Sequence, residues 1–115
     1  MIRLELPLPP SSNELFLNPR GGRGRRPLAP RYRAWRLEAG WIVKAARLPK
    51  ITGPYTFELL VPAKMRGDAS NRIKAPEDLF VKLGVTPDDR FCQRAAAERS
   101  PDVAPGRCVV IIKQA

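Results

Sequence analysis

The stretch YTFELLVPAKMRGDASNRIKAPEDLFVKLG, Tyr55–Gly84, decides the architecture, because its hydrophobic period changes from two to about four midway. Tyr55, Phe57, Leu59 and Val61 alternate with Thr56 and Glu58, which predicts a strand with one buried face. Pro62 ends it, since proline gives a sheet no N–H. A polar loop follows, and Ser70 then stands as an N-cap for a helix through Asn71, Ile73, Leu79, Phe80 and Leu83, closed by Gly84. Pro76 lies six residues past that cap, so a kink there or a helix start at Pro76 is expected.

On the N-terminal side, Tyr32, Trp35, Ala39, Ile42, Val43 and Ala46 recur at helical spacing from Tyr32 to about Leu48, with Arg33, Arg36, Lys44 and Arg47 as a second, basic stripe. Pro49, Gly53 and Pro54 break that helix. At the start, Ile2, Leu4 and Leu6 alternate as a short strand ended by Pro7, and Pro9 and Pro10 continue as an extended rim segment. On the C-terminal side, residues 91–99 and 107–113 read as two strands, joined by a loop with Pro101, Pro105 and Gly106. The order β-α-β-α-β-β predicts an α+β two-layer sandwich, with two helices packed on a four-stranded mixed sheet. All 115 residues form one domain, in which 7–31 is a Pro/Gly/Arg-rich loop.

The chain has no His, which excludes imidazole bases, Ser/His/Asp and Cys/His nucleophiles and His-ligated zinc. Its two cysteines, Cys92 and Cys108, are too few for a zinc site and too far apart for a redox motif, so both are expected reduced and buried. Met1–Leu8 lacks the apolar run of a signal peptide, and nowhere do the ~18 apolar residues of a membrane span follow one another. A cytoplasmic location and no membrane partner are expected.

The 21 Lys and Arg outweigh the 11 Asp and Glu, a net charge of +10 that suits a polyanion, with nucleic acid ahead of an anionic membrane surface. From Arg20 to Arg36 there are seven arginines and no acid: Arg20, Arg23, Arg25, Arg26, Arg31, Arg33 and Arg36. The planar guanidinium fork suits phosphate oxygens, so these residues, with Lys64, Arg66 and Arg72, are candidate DNA contacts. Five acids gather between Asp68 and Asp89: these two with Glu77, Asp78 and Asp88. Without His, phosphodiester hydrolysis needs a hard cation held by carboxylates, and a basic arm beside an acidic pocket provides for both. Asp68 before the second helix and Asp89 after it meet if the helix folds back on the sheet, and Lys74 reaches the same pocket. A plain turn at Asp88 and Asp89 accounts for those two acids equally well.

Two segments carry a resemblance. LPLPPSSN, Leu6–Asn13, and MRGDASNRIKAPEDLFVKLGVTPDD, Met65–Asp89, together resemble the RusA family of Holliday-junction resolvases. The family pattern has a Leu-Pro-x-Pro-Pro-Ser-x-Asn segment after the first strand, then Asp-x-Asp-Asn, a Lys three residues on, an acid and Leu in the helix, and an Asp pair after it. Asp68, Asn71, Lys74, Asp78, Leu79, Asp88 and Asp89 match at that spacing. The resemblance implies a homodimeric endonuclease that binds four-way DNA junctions and, with Mg²⁺ or Mn²⁺, nicks two strands symmetrically. It implies Asp68 and Asp89 as metal ligands, Asp88 and Ser70 as further candidates, Lys74 as the catalytic lysine, and structural roles for Asn13 and Asn71. Ser70 departs from the pattern, because it stands where the family has a second Asp and carries no charge for a hard cation. Two alternatives remain: a relative that binds junctions without cutting them, and a non-enzymatic basic RNA-binding protein.

Overall fold

The computed structural model describes residues 1–17 and 27–115. Arg20, Arg23, Arg25 and Arg26 lie outside the described residues. Six elements carry the fold: β1 (Ile2–Pro7), α1 (Pro30–Ala45), β2 (Tyr55–Pro62), α2 (Lys74–Lys82), β3 (Cys92–Ser100) and β4 (Arg107–Gln114). Short 3-10 turns occupy Ser12–Glu14, Ala69–Arg72 and Asp89–Phe91. Two helices pack on a four-stranded mixed sheet, an α+β fold as the alternation and helical periods predict.

The strand order is β1-β4-β2-β3. β2 and β3 are parallel, which requires a crossover, and α2 supplies it. β4 inserts between β1 and β2, antiparallel to both. Its register aligns Ile112 with Ile2 and Phe57, and Val110 with Leu4 and Leu59, so one sheet face collects the apolar residues of three strands. In this central strand Cys108, Val110 and Ile112 are buried while Val109 and Ile111 on the other face are half-buried, which matches the almost unbroken apolar run CVVII, Cys108–Ile112. The helices close this face: Phe80 of α2 stands edge-on to Phe57 with ring centroids 5.9 Å apart, and both are fully buried. Among the described residues, no helix is long and apolar enough to cross a membrane.

The structure corrects several boundaries. α1 starts at Pro30, whose fixed φ suits a first helical position, and ends at Ala45 rather than near Leu48. Arg47 takes a left-handed φ of 49° and Leu48 precedes a proline, so the helix cannot continue, and Ala46 is exposed instead of joining the packed face. Ser70 is not the cap of α2. It lies exposed inside the 3-10 turn Ala69–Arg72, and α2 begins at Lys74 behind Ile73, with no side-chain cap. Pro76 produces no kink, because it falls in the first turn, where N–H groups have no intrahelical acceptor. Gly84 does close the helix: with φ 76°, its N–H donates to Val81 O (3.0 Å) while Val85 N–H donates to Phe80 O (3.0 Å), a Schellman pair.

The described parts of the 7–31 segment, residues 7–17 and 27–31, are tied into the fold. Pro9 and Pro10 are buried, not on the rim, and Leu15 joins the core. Prolines lack N–H groups, but their carbonyls still need donors when buried. Trp35 Nε1–H donates to Pro7 O (2.8 Å) and the Arg72 guanidinium donates to Pro9 O (2.8 Å), tying the segment to α1 and to the turn before α2. Phe16 and Leu28 form an antiparallel bridge, extended by Leu17 N–H to Pro27 O (2.8 Å). Both cysteines are free, but only Cys108 is buried, its thiol pushed up to about 12 by desolvation; Cys92 is half-buried.

Candidate active site

Lys74, Glu77 and Asp78 stand three and four residues apart, so one face of α2 presents all three. Lys74 Nζ lies 3.3 Å from Asp78 Oδ1, with both side chains about half exposed. The closing turn of α2 and the 3-10 turn Asp89–Phe91 return the chain so that Asp89 lines the same cleft as Asp78. Asp78 raises the Lys74 pKa most, burial opposes it, and Asp89 and Glu77 add to it. The ammonium therefore persists throughout the neutral range. Burial raises the Glu77 carboxyl above its ordinary value, with Lys74 opposing and Asp78 and Asp89 reinforcing the shift.

A cleft of about 370 Å³ opens beside this group. Asp78, Asp88 and Asp89 line one side, while Phe16, Leu28, Tyr32 and Arg36 line the other. The Tyr32 pKa is raised chiefly by burial, with Arg36 lowering it and Asp78 raising it, so the phenol keeps its proton beside the acids. The Arg36 guanidinium lies 5.5 Å from the Tyr32 ring centroid. Leu17 and Pro27, the described ends of the segment that holds Arg20, Arg23, Arg25 and Arg26, are hydrogen-bonded next to Phe16 and Leu28 at this cleft.

The remaining candidates are distributed as follows. Asp68 is exposed at the head of the turn Ala69–Arg72, and among the described residues its carboxylate makes no hydrogen bond or ion pair with the Lys74 group. The loop leading to it is held by Arg99, which donates to Met65 O (2.6 Å) and Gly67 O (2.5 Å). Asp88 accepts the Arg90 N–H (3.0 Å), the main cause of its lowered pKa, and so caps the turn that presents Asp89. Lys64 and Arg66 are exposed, Arg31 pairs with Glu14 at 3.5 Å, and Arg33 donates to Leu28 O at 3.4 Å. Arg72 is half-buried, and its Nη1 donates to Pro9 O. Asn13 is exposed and Asn71 half-buried, in adjoining 3-10 turns. Glu77 and Tyr32 were missed as site residues. The i,i+3 spacing from Lys74 was the available signal for Glu77; nothing in the sequence moved Tyr32 from core to site.

Among the described residues, no three His, Cys, Asp or Glu side chains are grouped as a ready metal cage. The donors near the cleft are all oxygens, which fits a hard cation that takes one or two carboxylates and keeps its waters. No protein-family model matches the chain, and no curated protein matches it.

Glu77 provides a stability test with a defined sign. Its folded-state pKa is raised, so the native protein holds this proton more tightly than the unfolded chain does. Stability from this group is full below the unfolded pKa and falls as pH rises through the folded one. Glu77→Gln removes the cost of a half-buried charge and should raise Tm at pH 7 by roughly 2–4 °C. The gain should vanish below about pH 4, where both states carry the proton. Calorimetry across pH checks this; a lower Tm at pH 7 would show that the Lys74 pairing outweighs desolvation.

Proposed function

We propose that this chain is a divalent-metal-dependent, structure-specific endodeoxyribonuclease of the RusA type, acting as a homodimer on four-way DNA junctions by paired symmetric nicks. The observation that carries the reading is the Lys74–Asp78 pair on α2 next to a cleft that Asp78, Asp88 and Asp89 line and Arg36 and Lys82 border. The match of Leu6–Asn13 and Met65–Asp89 to the RusA pattern supports the same chemistry.

Asp68 and Asp89 would hold Mg²⁺ or Mn²⁺, with Asp88 and Ser70 as further candidates. When bound, the cation activates water and stabilises the charge that develops on the phosphate. Lys74 remains an ammonium, so it cannot serve as the base. It holds a phosphate oxygen or gives its proton to the leaving oxygen. Arg31, Arg33, Arg36, Lys64 and Arg66 hold the backbone by charge, so affinity falls steeply as salt rises. Two-fold symmetry of a homodimer accounts for paired nicks, each protomer cutting one strand.

A junction-binding relative that does not cut is favoured by one observation: Ser70 is exposed and uncharged where the pattern has a carboxylate. One experiment separates the two readings: nicking of a synthetic four-way junction and of a matched linear duplex across Mg²⁺ and Mn²⁺ titrations. Selective junction cutting by the parent at raised metal is expected, with Ser70→Asp needing roughly tenfold less metal, since an added carboxylate offsets cation charge. Cutting by Ser70→Asp alone would select the binding-only relative. Equal affinity for junction and duplex at physiological salt would overturn the resolvase reading.

A further inference from the structure

Outside the acidic cleft, α1 and α2 enclose a second groove of about 730 Å³. We propose that this groove docks an acidic amphipathic segment of a partner protein. Leu37 and Trp41 are 66% and 68% exposed on a helix whose opposite face is buried in the core. Large apolar side chains left open together mark a surface that is covered by something. Leu28 and Leu83 extend the floor, and Gly40 adds room, since a Cβ built there meets nothing within 4 Å.

The charge around this floor has one sign. Among the described residues, Arg33, Arg36, Lys44 and Lys82 are the charged residues lining the groove, and no acid lines it. The Lys44 ammonium lies 5.9 Å from the Trp41 ring centroid. An occupant must therefore combine an apolar stripe with flanking carboxylates. A phosphate backbone satisfies the rim but leaves the leucine floor unfilled. A second copy of this chain would set four cations against the same four across a two-fold axis, in a molecule of net charge +10. An acidic segment with hydrophobic residues at i, i+3, i+4 and i+7 meets both requirements. Arg36 and Lys82 border both the groove and the acidic cleft, so the docked segment ends beside the proposed active site. The docking proposal stands whether or not the chain is a nuclease.

The probe is a synthetic peptide of about twelve residues, the ~18 Å length of α1 from Arg33 to Lys44. It is built from Asp, Glu, Leu and Phe with that apolar spacing, and compared with a scrambled isomer of the same composition. The patterned peptide should bind the full chain with micromolar Kd and shift tryptophan emission to the blue, as Trp41 leaves water. The scrambled isomer should bind at least about tenfold more weakly, and Leu37→Asp and Lys44→Glu should each weaken the patterned peptide by about tenfold. Both substituted side chains are exposed, and an unchanged circular dichroism spectrum shows that the fold is kept. Equal binding of the two peptides, or none by either, would overturn the proposal. So would a dimer in sedimentation that Leu37→Asp dissociates, which would assign the groove to a second copy. Because Arg33 and Arg36 are also proposed DNA contacts, competition by DNA is read through Leu37: duplex DNA binding that Leu37→Asp weakens as much as it weakens the peptide would assign the groove to nucleic acid and overturn the proposal.

Discussion

Lys74→Ala should lower the single-turnover rate of junction nicking by about a thousandfold, the upper range for losing one preorganised charge from a transition state. Lys74 pairs with Asp78 at 3.3 Å, and Asp78, with smaller contributions from Asp89 and Glu77, holds its pKa above the ordinary value. Without it, Asp78 loses its paired cation and the phosphate loses its positive neighbour. Junction affinity should fall only a few fold, because one lysine among many basic residues makes a small part of the electrostatic attraction. Thermal stability should barely change, since the 3.3 Å pair with Asp78 is half exposed and such pairs contribute about 0.5 kcal/mol or less. Asp89→Asn should produce a comparable loss of cutting with the same intact fold. If Lys74→Ala nicks within a few fold of the parent at saturating metal, the catalytic assignment is wrong, whatever the chain binds.

Phe80→Ala should cost about 3–5 kcal/mol and move the urea midpoint down by roughly 2 M. Phe80 is fully buried, and its ring meets Phe57 edge-on in the seam between α2 and the sheet. Truncation loses the transfer energy of the ring and leaves a cavity under α2. A domain of this size has only about 5–15 kcal/mol in hand, so the loss is a large share of its total. Phe80→Leu refills much of the volume and should cost far less. The substitution also bears on function, because the same helix carries Lys74, Glu77 and Asp78 on its outer face. A midpoint within about 0.5 M of the parent would mean that α2 is not held by this contact.

Both expectations depend on residues of unequal legibility. Phe57, Leu59 and Val61 declared a strand by alternation, and Leu79, Phe80, Leu83 and Gly84 declared a helix with its stop, because those signals are local. Pro7, Pro49 and Pro62 punctuated the chain for the same reason: each blocks backbone geometry by its own ring. The α+β class followed from their order and is the architecture observed. Helix starts were less legible. Ser70 had a capping side chain, but it lies in a 3-10 turn whose last residue, Arg72, is bonded to Pro9 O, 63 residues away in sequence. Likewise Pro9 and Pro10 read as rim and are buried, because Trp35 and Arg72 supply the donors that their neighbours lack.

For the candidate site, the absence of His limited the chemistry to carboxylates, lysine and a hard metal, and the resemblance of Met65–Asp89 to the RusA pattern singled out Asp68, Lys74 and Asp89. Their grouping was not in the sequence. The sharing of one cleft by Asp78 and Asp89, the effect of Asp89 on Lys74 and the raised Glu77 carboxyl depend on how α2 and the following turn fold back. The groove beside Leu37 and Trp41 also escaped the helical pattern, which marks the face that packs and says nothing of what a neighbouring helix leaves open. The sequence by itself determined the elements, their class and the kinds of chemistry available, because propensity, period and side-chain type are properties of short segments. Only the tertiary structure decided the insertion of β4, the burial of the proline segment and the company of each charged group, because these depend on contacts between residues far apart in the chain.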